Sequence, residues 1–142
     1  MTVHPLPTAS ITGDNEICLG GNTTLTATGG TSYVWSNGET TSSITVSPSA
    51  TTAYQVTVTD GNGCQATATY TVTGQPLPTA SSTDDNEICL GDNTTLSATG
   101  GTSYVWSNGG TTSSITVSPS ATTAYQVTVT DGNGCQATAT YT

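Results

Sequence analysis

Apolar and polar residues alternate along most of this chain, and apolar residues never recur at helical spacing. In NTTLTAT (22–28), Thr23, Leu25 and Ala27 share one face of an extended segment. SYVWS (32–36) places Tyr33 with Trp35, and SITV (43–46) places Ile44 with Val46. AYQVTVT (53–59) aligns Tyr54, Val56 and Val58; CQATATYTV (64–72) aligns Ala66, Ala68, Tyr70 and Val72. The opposite faces are almost wholly Thr, Ser and Gln, and β-branched Thr suits a solvated pleat. Turn signals separate the runs at Gly20-Gly21, Gly29-Gly30, Asn37-Gly38, Ser47-Pro48-Ser49 and Asp60-Gly61-Asn62-Gly63. About seven short strands at that spacing predict an antiparallel β-sandwich.

The pattern is written twice. Cys18 recurs as Cys89, Trp35 as Trp106 and Cys64 as Cys135, each 71 residues on. Between 8–71 and 79–142 only five positions differ: Ile11/Ser82, Gly13/Asp84, Gly21/Asp92, Thr26/Ser97 and Glu39/Gly110. Such likeness predicts two tandem domains, 1–73 and 74–142, with a linker around 74–78 (GQPLP). It also suggests a window from a longer array. A unit this small buries only about 60% of its unfolded surface, so staples or neighbours are expected to support it. With no Phe in the chain, Trp35, Trp106, Tyr54 and Tyr125 are the expected core aromatics.

The segments ICLGGNTTLTATGG, YVWSNG and SITVSPSATTAYQVTVTDGNGC, with the Thr-rich strand that closes each copy, resemble the Ig-like and PKD-like repeats of Bacteroidota surface and secreted proteins. The resemblance covers both copies nearly end to end. It implies two Ig-like sandwiches that serve as stalks, spacers or adhesive arrays. One departure stands out: Asn62 occupies the place, two residues before Cys64, where antibody-type domains carry Tyr. The usual Ig disulfide is therefore not implied.

Charge narrows the partners. The 142 residues include no Lys or Arg and nine Asp plus Glu, for a formal charge of −9. Such a polyanion has no electrostatic footprint for nucleic acid or anionic membrane. Chemistry that needs lysine, such as isopeptide crosslinks and Schiff bases, is excluded. No run of 18 apolar residues suggests membrane insertion. MTVHPLP lacks the basic and apolar regions of a signal peptide, while four cysteines at paired positions point to an oxidising compartment. The expected setting is extracellular or cell-surface, with any export signal elsewhere in a longer protein.

Candidate chemistry is sparse, and no enzyme is expected. His4 is the single histidine and aligns with Gln75, so it lacks a second imidazole for zinc or catalysis. Asp14 with Glu16, and Asp84-Asp85 with Glu87, could pass as paired carboxylates for sugar hydrolysis but read better as solvated loop charge. Calcium suits such oxygen ligands better, with Asp85, Glu87 and Asp131 the first candidates beside Asn133; Asp60 and Asn62 form the equivalent loop. Trp35 and Trp106 could stack on a surface glycan, but a tryptophan on a sandwich's third strand more often plugs the core. Asn22-Thr23-Thr24 and Asn93-Thr94-Thr95 match the N-glycosylation pattern, and Thr-x-Thr rows suit ice or a neighbouring chain; both signals are weak.

The cysteines carry the sharpest expectation. In a seven-stranded Ig-like order, Cys18 precedes the turn at the bottom of its sandwich, whereas the DGNG turn and Cys64 lie at the top. A strand of about seven residues at roughly 3.3 Å each separates those ends by about 20 Å. A disulfide needs Cα atoms within about 7 Å. In a head-to-tail array the bottom of one domain meets the top of the next. The expected bond is Cys18–Cys135 between domains, with Cys64 and Cys89 linking neighbouring copies; the alternative is Cys18–Cys64 with Cys89–Cys135. The leading functional expectation is a structural repeat of an extracellular fibre, filament or adhesin stalk. The alternative is a carbohydrate- or surface-binding accessory module.

Overall fold

The computed structural model describes residues 1–82 and 85–142. These fall into two compact units, Met1–Gln75 and Pro76–Thr142. Every regular element among the described residues is a strand, and no helix there is long and apolar enough to cross a membrane.

The first unit contains β1 (Ser10–Thr12), β2 (Glu16–Cys18), β3 (Thr23–Thr28), β4 (Ser32–Trp35), β5 (Ser43–Val46), β6 (Thr52–Thr59) and β7 (Gln65–Gln75). One sheet has the order β1-β3-β5, the other β2-β7-β6-β4. The alternating residues converge between them. Leu25, Trp35, Ile44, Val46, Tyr54, Val56, Val58 and Val72 form one buried cluster. Trp35 fills its centre, and its indole N–H donates to the Thr41 carbonyl at 2.8 Å, so the ring is buried without losing its polar contact.

The wholly antiparallel expectation needs one correction. β2 pairs in parallel with the end of β7, in the register Glu16↔Thr73, Ile17↔Gly74 and Cys18↔Gln75. The cause is a split first strand. β1 pairs with β3 in one sheet; after a break at residues 13–15, β2 joins the other. Gly74 and Gln75, placed in the linker by composition, instead extend β7 beside it. Glycine is required where β3 ends: Gly29 has φ +114°, and a Cβ there would lie 2.0 Å from the Thr8 carbonyl oxygen.

The second unit contains β8 (Ser81–Ser82), β9 (Thr94–Thr99), β10 (Ser103–Trp106), β11 (Ser114–Val117), β12 (Tyr125–Thr130) and β13 (Gln136–Tyr141). Its sheets run β11-β9-β8 and β10-β12-β13, all antiparallel. Leu96, Trp106, Ile115, Val117, Val127 and Val129 form its core, and the Trp106 indole donates to the Thr112 carbonyl at 2.8 Å. On exposed faces, hydroxyls pair across strands: Ser10 with Thr28 at 2.6 Å, Thr26 with Ser43 at 3.0 Å, and Ser81 with Thr99 at 2.7 Å. Rows of Thr and Ser therefore bond to one another across the solvated pleats.

Candidate functional site

The DGNGC turn is built by its aspartate. Asp131 Oδ1 accepts from the backbone N–H of Asn133 at 2.9 Å and of Cys135 at 3.0 Å. Asp60 accepts from Asn62 and Cys64 at the same distances. A backbone bond from Asp131 N–H to the Cys135 carbonyl (2.9 Å) closes the loop. Gly134, with φ +83°, supplies the left-handed residue that the turn requires. The carboxylate is thus occupied in holding the turn and in aiming the cysteine that follows.

Identical turns carry cysteines in different states. Cys18 and Cys135 are disulfide-bonded, whereas Cys64 and Cys89 are free thiols. Two free thiols are incompatible with the alternative in which Cys18 takes Cys64 and Cys89 takes Cys135. Cys135 is fully buried, Cys64 half-buried and Cys89 exposed.

The other candidates are dispersed. His4, Asp14 and Glu16 are exposed on the first unit. Asp85 and Glu87 are exposed at the rim of a groove in the second unit that Asp131 does not line. Asp84 lies outside the described residues. Among the described residues, no three His, Cys, Asp or Glu side chains gather as a metal site. Trp35 and Trp106 are each 2% exposed, so neither offers a face to a sugar ring. Tyr54 is buried as expected, whereas Tyr125 is half-buried and lines the groove.

That groove has a volume of about 410 Å³. Residues 85–90 form one wall, Pro119 to Tyr125 the other, and Leu96 and Val117 contribute its apolar floor. The period of 71 maps this lining onto residues of the first unit that hold the end of β7. There Val72 is fully buried. Thr73 N–H donates to the Asn15 carbonyl at 2.7 Å, Leu19 N–H to the Gln75 carbonyl at 2.9 Å, and Gly74 N–H to Thr51 Oγ1 at 3.2 Å. The matching groove residues are Asn86, Leu90 and Thr122. Alternation alone missed this feature, because a parallel edge pairing of three residues leaves no period to read. The copies match from Pro5 and Pro76 onward, and VTGQ (72–75) aligns with MTVH (1–4).

No protein-family model matches the sequence, and a search of curated proteins returns no match.

Proposed function

We propose that the chain is a structural repeat of an extracellular bacterial fibre or adhesin stalk, made of Ig-like sandwiches stapled end to end. In this reading Cys18 bonds Cys135 across the junction, and Cys64 and Cys89 bond neighbouring copies. The observation that carries it is the oxidation pattern: one cysteine of each unit is in a disulfide and its partner in sequence is a thiol. Pairing inside each unit would give near-identical repeats the same oxidation state, so a bond that joins units accounts for the asymmetry. With the proline-containing connection PLP (76–78) as a second tie, bending at the junction would be suppressed and the array would act as a stiff spacer. Buried tryptophans and the absence of Lys and Arg favour reach and durability over ligand capture. Non-reducing peptide mapping tests the bond, with a protease other than trypsin because the chain offers trypsin no site. Recovery of a Cys18–Cys135 crosslinked peptide is expected, and a Cys18–Cys64 peptide would overturn the reading. Electron microscopy of the native assembly should show unbranched rods rather than isolated globules.

A further inference from the structure

We propose that the parallel β2–β7 ladder is a tension-bearing clamp, and that the oxidation state of Cys18 decides whether this clamp or a disulfide carries the load. The function rests on the stalk reading, in which Cys18 bonds Cys135 and the chain is pulled lengthwise. In the first unit β2 and β7 run side by side in the register Glu16↔Thr73, Ile17↔Gly74 and Cys18↔Gln75. Tension from the N-terminal side draws β2 backward along its axis. Tension through the connection at 76–78 draws β7 forward along its own. Because the strands are parallel, these pulls slide one past the other, and every contact between them is loaded together. Antiparallel strands pulled in the same way would open from one end, one hydrogen bond at a time.

The contacts suit that load. Thr73 N–H donates to the Asn15 carbonyl at 2.7 Å and Leu19 N–H to the Gln75 carbonyl at 2.9 Å, so a bond stands at each end of the ladder. Tyr70 Oη donates to the Gly13 carbonyl and ties β7 to the chain just ahead of β2. Ile17 is buried in the same core cluster as Val72, so sliding β2 also drags an apolar side chain out of its socket. Cys18 is the last residue of β2, which puts the staple on the clamp itself. With Cys18 bonded to Cys135, tension arriving along β2 crosses to Cys135 through sulfur. Residues 19–134, β7 among them, then lie inside a closed covalent loop and carry none of it. A dithiol reductant opens the loop: its two thiols become a disulfide, the Cys18–Cys135 bond takes up two electrons and two protons, and two cysteine thiols result. The load then passes to the β2–β7 ladder. The span between the two cysteines is therefore inextensible when oxidised and held by the fold when reduced.

Force-clamp stretching of the whole chain, held by handles at its two ends, tests this with and without a dithiol. Without reductant, no step should release residues 19–134. With reductant those residues should be released, adding roughly 400 Å of contour at about 3.5 Å per residue. Thr73→Pro removes the donor to Asn15 and should shorten the lifetime of one unfolding event about tenfold in reductant, with no effect on the oxidised chain. Thr73→Ala keeps the backbone donor and should match the wild type in both states. Tryptophan fluorescence checks that each variant is folded; if Thr73→Pro is not, Leu19→Pro deletes the donor at the other end of the ladder and takes its place. Equal lifetimes of the proline variant and the wild type in reductant overturn the clamp, while a recovered Cys18–Cys135 peptide leaves the stalk reading standing. Release of residues 19–134 without reductant also overturns the proposal, and absence of the crosslinked peptide from the map assigns that failure to the staple.

Discussion

Two stretches of identical sequence, 15–19 and 86–90, adopt different structures in one molecule. NEICL in the first unit contributes β2, with Ile17 buried and Leu19 half-buried. NEICL in the second unit has no strand, a half-buried Ile88 and an exposed Leu90. The change spreads to residues that also match in sequence. Thr23 and Pro48 are buried while Thr94 and Pro119 are half-buried, and β6 starts at Thr52 while β12 starts only at Tyr125. Side-chain choice cannot explain this, because these letters are the same. What differs is a neighbour: β7 runs through Val72 to Gln75, and β13 spans Gln136–Tyr141. In the first unit Val72 to Gln75 close the edge beside β2.

The strongest way to break the comparison is to spoil that neighbour in the first unit. Val72→Asp would place an unpaired carboxylate where the native side chain is fully buried, a change that costs several kcal/mol. Denaturant unfolding followed by tryptophan fluorescence should show the transition of the first unit collapse by about 4 kcal/mol or more while that of the second persists. Each unit has its own reporter, Trp35 or Trp106. An unchanged first transition would mean that β7 beyond Thr71 contributes nothing to the core.

An intermediate effect is expected at the turns. Asp60→Ala and Asp131→Ala each delete a carboxylate that accepts two backbone N–H groups. Hydrogen bonds to charged groups contribute about 1.5–3 kcal/mol each, and these are partly solvated, so about 1.5 kcal/mol per turn is expected. Because both turns have the same geometry, the two losses should agree. Thermal unfolding of the single variants checks this, and a large inequality would show that the oxidised Cys135 holds its turn independently of the aspartate.

Much of the fold was legible because alternation is enforced by burial. Thr23, Leu25, Ala27, Ile44, Val46, Tyr54, Val56, Val58 and Val72 alternate onto inward faces and are buried, while Tyr33, Ala66, Ala68 and Tyr70 on the same faces are half-buried. The all-β class followed from the same pattern. The parallel β2–β7 ladder was not legible, since three-residue edge strands are defined by tertiary neighbours rather than by period. The groove was hidden for the same reason. Its walls are spelled like those of the site that Val72 to Gln75 fill in the first unit. The carboxylates show the converse limit. Asp131 has the residue type of a calcium ligand, and an Asp-Gly-Asn-Gly run equally fits a turn in which the aspartate Oδ1 accepts from its own backbone, as it does here.

The smallest effect gives the sharpest test, because it compares one letter in two settings. Leu19 packs so close to the end of β7 that its Cδ2 sits 2.6 Å from where a Gly74 Cβ would stand, whereas Leu90 projects into solvent. Truncating a half-buried leucine removes part of its apolar contact, so Leu19→Ala should cost about 1 kcal/mol, well below the loss for a fully buried site. Leu90→Ala should lie within about 0.5 kcal/mol of zero, as exposed substitutions do. Chemical denaturation of each variant measures the gap. If the two leucines cost the same, the edges of the two units are equivalent in solution.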